Sequence, residues 1–120
     1  MPRPIYSVKA DYFKALAHPA RIRILELLRQ GERSVGELVA DLELEQSNVS
    51  QQLGVLRAKG IIESRRDGAT VYYRVKDPRV FKLLAITKDI ITSALTETKD
   101  LLADLGQLEF TAPGRRTKGR

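Results

Sequence analysis

The sequence predicts a mainly α-helical fold carrying one small β-hairpin, on three observations. Apolar residues recur at helical spacing in successive stretches between Ser7 and Lys59. Between Ile61 and Val75 the period shortens to that of extended chain, around an Asp67-Gly68 turn. From Asp77 to about Gly106 a heptad pattern then runs without a break. A chain of 120 residues is long enough for one domain with a small core, so residues 1–106 are expected to fold as one unit.

Met1 to Tyr6, with Pro2 and Pro4, reads as a loose arm. In the first predicted helix, Ser7 to Ala17, the apolar positions are Val8, Tyr12, Phe13, Leu16 and Ala17, and Ser7 stands as a cap. Pro19 forces a boundary, because the residue before a proline avoids the helical region, and it suits the first turn of the next helix. That helix, PARIRILELLRQ, gains a broad buried face from Ile22, Leu25 and Leu28, with Ile24 and Leu27 beside them, and Gly31 is placed to end it. Ser34 to Leu42 follows, with Ser34 and Glu37 spaced as a capping box and Val35, Leu38 and Val39 pointing inward. A polar connection, Glu43 to Glu45, leads to Gln46–Lys59, which Gly60 closes. Two short helices joined by a tight turn form a helix-turn-helix over about 34–59.

Thr70 to Val75 returns antiparallel to Ile61–Arg65 across the turn Arg66-Asp67-Gly68-Ala69. A lone hairpin is marginal in water, so it must pack on the helices. Helices plus a hairpin with a basic tip, about 61–75, make a winged helix-turn-helix.

In the last helix, about 77–106, Val80, Leu84, Thr87, Ile91, Ala94, Thr98, Leu101 and Leu105 repeat with alternating gaps of four and three. Leu83, Ile90, Leu95 and Leu102 widen the stripe. Such a helix, roughly 42 Å long, exceeds what a small winged-helix core can cover. The surplus face points to a homodimer, with Tyr12, Phe13, Leu84, Ile91, Ala94, Leu95, Leu101 and Leu105 at its interface. Packing on the first helix is the alternative, and the two are compatible. Residues 107–120 are expected to form a disordered basic tail, with phosphate contact or plain solubility as its two readings.

The formal net charge of +6 and pI near 9.8 favour a polyanionic partner, although Arg115 to Arg120 alone hold four basic residues and no acid. Without cysteine the chain has no disulfide, thiolate metal site or thiol redox switch. No apolar run approaches the roughly 18 residues of a membrane span, and no signal peptide opens the chain, which implies a cytoplasmic protein. No Gly-rich phosphate loop, catalytic triad or carboxylate pair stands out, so an enzyme is not expected, nor any cofactor. His18 stands alone before Pro19, where capping or packing explains it better than metal binding.

The candidate site lies on Gln46–Lys59. Val49, Leu53 and Leu56 form a buried stripe, while Ser47, Asn48, Gln51, Gly54 and Ala58 lie opposite, with no charge. An ordinary solvated face carries Lys and Glu. An amide-and-hydroxyl face with small neighbours suits close approach to base edges. Gln51 projects away from the stripe and matches an adenine edge, while Ser47 and Ser50 fit phosphates. Gln52 lies near the buried edge, where a structural role and a contact are both open, and Arg57 on the flank has phosphate or an ion pair as its alternatives. In the wing, Arg65 and Arg66 are expected at the backbone or minor groove, with a solvated hairpin tip as the alternative. Of Tyr72 and Tyr73, one packs on the core and the other, Tyr73, is the candidate for phosphate. Arg21 and Arg23 are weaker candidates.

FKALAHPARIRILELL, SVGELVADL, SNVSQQLGVLRAKGIIESRRDG and VYYRV, in this order and spacing, resemble the ArsR/SmtB family of bacterial transcriptional regulators over about Tyr12 to Val75. The resemblance implies a homodimeric winged-helix repressor that leaves operator DNA when a metal ion or other signal arrives. Metal-sensing members carry cysteines in an ELCVCDL-like motif; here Glu32 to Leu38 reads ERSVGEL, with Ser34 and Gly36 in the cysteine positions. A second family site uses Asp and His on the last helix, where this chain has Asp89, Glu97, Asp100 and Asp104 and no histidine. The family's Ser-x-His-Leu signature reads Ser50-Gln51-Gln52-Leu53. The expected function is therefore a repressor binding a pseudo-palindromic double-stranded operator, without cysteine-based sensing. A non-specific architectural DNA binder and a winged-helix protein-interaction module are the alternatives.

Overall fold

The computed structural model describes residues 2–108, so the tail expected from 107 onward lies, past Leu108, outside the described residues. In chain order the elements are α1 (Ile5–Leu16), α2 (Pro19–Leu28), β1 (Arg33–Ser34), α3 (Val35–Leu42), α4 (Gln46–Ala58), β2 (Ile62–Asp67), β3 (Thr70–Val75) and α5 (Arg79–Leu108). The chain divides into two units, Met1–Lys82 and Leu83–Arg120. Among the described residues no helix is long and apolar enough to cross a membrane.

Helix α1 begins at Ile5, earlier than the Ser7 start that apolar spacing predicts. Pro4 takes the N-cap place with φ −60°, and its carbonyl accepts the N–H groups of Ser7 and Val8. Ser7 is not the cap: its hydroxyl accepts from Arg3, whose guanidinium also meets Asp11 at 2.7 Å. The buried residues of α1 are Ala15 and Leu16, while Val8 and Phe13 are exposed. Helix α2 is capped by His18, whose Nδ1 accepts the Ala20 N–H at 3.1 Å, with Pro19 in the first turn. Its buried face is Ala20, Ile24, Leu25 and Leu28, with Ile22 and Leu27 half-buried. The stripe thus centres on Ile24 rather than Ile22. Gly31, at φ +131°, lies beyond its end.

The capping box of α3 is complete. Ser34 Oγ accepts the Glu37 N–H at 3.2 Å, and Glu37 Oε1 accepts the Ser34 N–H at 2.9 Å. Glu43 turns the chain at φ +56°, and α4 starts at Gln46. At its far end Gly60 adopts φ +73°. The Gly60 N–H donates to Arg57 O and the Ile61 N–H to Leu56 O, both at 3.0 Å. This is a Schellman closure, and its accompanying apolar pair, Leu56 and Ile61, is buried.

The hairpin pairs Ile62 with Val75 through Asp67 with Thr70. Its loop is Gly68-Ala69, so Arg66 and Asp67 belong to the strand rather than the turn. Gly68, at φ +63°, holds the first loop position, where a II′ hairpin requires glycine. The wing is also not a lone hairpin. Arg33 pairs with Tyr73 and Ser34 with Tyr72, giving a three-stranded antiparallel sheet in the order β1-β3-β2.

The core of the first unit is Ile24 and Leu25 from α2, Leu38 from α3, Val49, Leu53 and Leu56 from α4, and Ile61 and Ile62 at the wing. Each such side chain stabilises the unit by about 1.5–3 kcal/mol through burial. Val80, at the start of α5, is buried too. From Leu83 onward the pattern is different: Ile86, Ile90, Ile91, Leu95, Leu101, Leu102 and Leu105 are exposed. Thr87 and Thr98 interrupt this apolar face without leaving an unmet donor, since their hydroxyls bond back to Leu83 O at 2.8 Å and Ala94 O at 3.0 Å. Of the expected interface residues, Tyr12 and Leu84 are half-buried, and Phe13, Ile91, Ala94, Leu95, Leu101 and Leu105 are exposed.

Candidate nucleic-acid interface

Burial of Val49, Leu53 and Leu56 fixes the rotation of α4 about its axis. That rotation leaves Ser47, Ser50, Gln51, Gly54 and Ala58 exposed and Asn48 half-buried. The exposed face opposite the stripe is uncharged and rich in hydrogen-bonding tips near its N-terminus. Helix α4 has no side-chain cap, so its first-turn N–H groups have no side-chain acceptor of their own. Arg57 and Lys59 place positive charge at the other end, both exposed.

Gln52 lies on the inner edge of α4 and, among the described residues, is the buried polar side chain, 6% exposed. Its Oε1 accepts from Arg21 Nη1 at 3.0 Å, and its Nε2 donates to Asn48 Oδ1 at 3.0 Å. Arg21 in turn donates to the carbonyls of Ala15 at 2.7 Å and Lys14 at 3.3 Å, closing the end of α1. Of the two roles open for Gln52 in the sequence, the structural one is visible in these bonds. Arg23 donates to Leu42 O at 3.4 Å, at the end of α3. Nothing in the sequence pairs α2 with α4, and no local pattern marks Arg21 or Arg23 as a partner of buried backbone or amide groups.

In the wing, strand alternation sends neighbouring arginines to different environments. Arg65 forms an ion pair with Glu32 and lies over the Tyr72 ring, 4.8 Å from its centroid. The hydrogen bond from Arg65 holds the Glu32 carboxyl below its ordinary range, and the guanidinium's own charged form is favoured in return. Arg66 is exposed and makes no ion pair or side-chain hydrogen bond among the described residues. Arg74, exposed on β3, pairs with Glu63 at 2.6 Å. Tyr72 and Tyr73 are both half-buried, so neither is the fully packed partner that alternation predicts. Glu32 had no visible role in the sequence, because its contact with Arg65 spans 33 positions. Among the described residues no group of three or more His, Asp or Glu side chains gathers at metal-binding spacing.

Comparison with known proteins agrees with this architecture. Residues 18–64 match the model of the arsR family of bacterial regulatory proteins. The HTH-type transcriptional regulator Rv0081 of Mycobacterium tuberculosis is 50% identical over 103 residues, which cover 85% of this chain and 90% of that protein. Its crystal structure superposes with a TM-score of 0.73 over 81% of this chain and 98% of that one. The homodimeric winged helix-turn-helix DNA-binding domain Mb0332 from Mycobacterium bovis superposes with a TM-score of 0.70 at 32% identity, covering 78% of this chain and 86% of that one. The biofilm growth-associated repressor of Agrobacterium fabrum is 48% identical over 75 residues, 62% of this chain and 64% of that protein. With its two-helix reading unit, its three-stranded wing and these relatives, the chain belongs to the arsR family of winged helix-turn-helix transcriptional regulators.

Proposed function

We propose that this chain is a sequence-specific repressor that binds a pseudo-palindromic double-stranded operator as a homodimer. The observation that carries the reading is the exposed, uncharged, hydrogen-bonding face of α4, held in place by a fully buried stripe. In a winged helix-turn-helix dimer the two recognition helices enter successive major grooves. Here Gln51 and Asn48 face base edges, Ser47, Ser50 and Arg57 hold the backbone, and Arg66 reaches it from the wing. Gln52 acts from behind. Residues 1–106 work as one domain, in which the exposed apolar face of α5 is the seam with the second chain, joined by Phe13 and Tyr12 from α1. The protein is a cytoplasmic binding protein rather than an enzyme, and repression follows from occluding a promoter.

The test is a comparison of operator and random duplex across a salt series. A specific repressor binds its operator at least about a thousandfold more tightly than random duplex at physiological salt. Equal affinities with a shared steep salt slope assign the chain to non-specific architectural binding instead. Gln51→Ala should cost about 1–3 kcal/mol of operator preference while leaving random-duplex binding intact. An unchanged operator affinity in the Gln51→Ala, Asn48→Ala double variant would move the recognition face elsewhere and favour a protein-interaction role for α4.

A further inference from the structure

We propose that Arg21 and Gln52 form a buried relay that sets the hydrogen-bonding polarity of Asn48 and thereby its base preference; this rests on the DNA-binding reading above. The chain of reasoning begins at Arg21. A guanidinium has five N–H donors and no acceptor. The Gln52 atom facing it at 3.0 Å must therefore be the carbonyl oxygen Oε1. Gln52 is an amide with one oxygen and one nitrogen, so the end pointing the other way is Nε2, a pure donor. The Asn48 atom that meets it at 3.0 Å must in turn be the acceptor, Oδ1. Amide orientations in proteins are often ambiguous, but here one unambiguous donor at the end of the line orders both amides.

The consequence lies at the far end of the relay. Asn48 has Oδ1 engaged along the helix with Gln52, one turn further on, and its Nδ2 group has no protein partner among the described residues. Asn48 is half-buried, at the margin of the uncharged face. It presents an N–H donor to the groove. An asparagine free to offer both ends of its amide pairs with the N6 and N7 positions of adenine; one held as a donor seeks any acceptor, O6 or N7 of guanine, O4 of thymine or N7 of adenine. Cytosine presents only an amino group in the major groove, and a donor is repelled there.

Burial gives the relay its stiffness. Gln52 is 6% exposed, so breaking either of its bonds leaves an unsatisfied amide group in the core. Arg21 is anchored independently by the carbonyls of Lys14 and Ala15, which hold its guanidinium whether or not Asn48 is engaged. Gln52 and Arg21 are positioning residues. Neither needs to touch DNA.

Replacing Gln52 by glutamate reverses the relay while conserving shape. A carboxylate accepts from Arg21 at one oxygen and, having no donor, can only accept from Asn48 at the other. Asn48 must then turn its Nδ2 inward and its Oδ1 outward. The experiment is selection of duplexes from a randomised library by the full-length parent, Gln52→Glu and Asn48→Ala proteins, with thermal unfolding of each recorded. In the parent, the base pair whose preference Asn48→Ala relaxes should disfavour cytosine on the contacted strand, by about tenfold against bases that present an acceptor. In Gln52→Glu that same position should gain cytosine and lose guanine and thymine, which offer no donor to an outward Oδ1. If Gln52→Glu folds and selects the parental sequence at every position, or if Asn48→Ala leaves the selected sequence unchanged, the relay is overturned while the DNA reading stands. If the parent selects no sequence at all, the DNA reading itself fails. Should Gln52→Glu not fold, the parent and Asn48→Ala still decide: cytosine at the position Asn48 governs overturns the donor assignment.

Discussion

Helices α4 and α5 carry the same kind of pattern and end in opposite states. Both repeat apolar residues every three or four positions. In α4 the stripe disappears into the core, with Val49, Leu53 and Leu56 between 0% and 1% exposed. In α5 the corresponding positions Ile91, Leu95 and Leu101 are 54%, 61% and 59% exposed. An amphipathic pattern states only that a face must be covered. In α4 the cover comes from α2, α3 and the wing within one chain, which leaves the opposite face free for a ligand. From Ile86 to Leu105 the large apolar side chains of α5 are exposed, and an apolar face of this length invites association.

The largest expected effect breaks this contrast at α5. Ile91→Asp places a charge on the exposed stripe, so sedimentation should show monomers with the fold of the first unit intact. Operator binding should then fall by about a hundredfold or more, because linked half-site binding multiplies affinity by roughly 10²–10⁴. Dimers unchanged by Ile91→Asp would remove this stripe from the interface.

At α4 the same contrast predicts damage of a different kind. Leu53→Ala removes a side chain that is 1% exposed, and it should destabilise the first unit by about 2–5 kcal/mol in denaturant unfolding. Leu95→Ala, at an exposed position of α5, should leave the unfolding of that unit unchanged when measured in a monomeric Ile91→Asp background. Equal losses from the two substitutions would mean that both helices are buried alike.

How much of this was legible in the sequence follows from the range of the interactions. The capping box of α3, the Schellman glycine of α4 and the hairpin turn are local, and Ser34, Gly60 and Gly68 announce them within a few residues. The buried stripe of α4 was legible because three apolar residues recur at one spacing. Strand β1 was not, since a strand of two residues has no period to read. The start of α1 was displaced because Pro4, read as part of a loose arm, serves as its cap. Arg21 reaches Gln52 from 31 positions away and Glu32 reaches Arg65 from 33, and no local signal announces such contacts. Sequence reasoning placed Gln52 near the buried edge, but its bond to Arg21 required the fold.

Within the wing, Arg65 and Arg66 offer a smaller and finer test. The sequence places both at the backbone or the minor groove, yet Arg65 is paired with Glu32 while Arg66 is unpaired among the described residues. Arg66→Ala should weaken binding to all duplexes alike and reduce the slope of log affinity against log salt by about one. Arg65→Ala should leave that slope unchanged. Glu32→Gln, which releases Arg65, should steepen it by about one. Identical slopes for Arg65→Ala and Arg66→Ala would mean that Glu32 yields its arginine to phosphate on binding.

The smallest expected effect concerns the junction where the buried part of the chain passes into α5. Asp77 accepts the Arg79 backbone N–H at 3.0 Å and meets the same residue's guanidinium, at the start of the helix. The hydrogen bonds from the Arg79 side chain and backbone bring its carboxyl down from 3.8 to about 2. A carboxyl depressed in the folded state stabilises that state fully above its ordinary value, and the contribution fades as pH falls through the folded value. Asp77 should therefore support the helix start down to about pH 4 and release it towards pH 2. Asp11 and Glu32 are shifted in the same direction by Arg3 and Arg65, so the acid limb of the parent sums several carboxylates. The informative measurement is the difference between parent and Asp77→Asn melting temperatures across pH 2 to 6. Asp77, Asp11 and Glu32 are half-buried and still meet solvent, so the difference should be small; it should be constant above about pH 4 and shrink below it. A difference that stays flat to pH 2 would show that Asp77 acts through its shape as a cap, as asparagine also can, rather than through its charge.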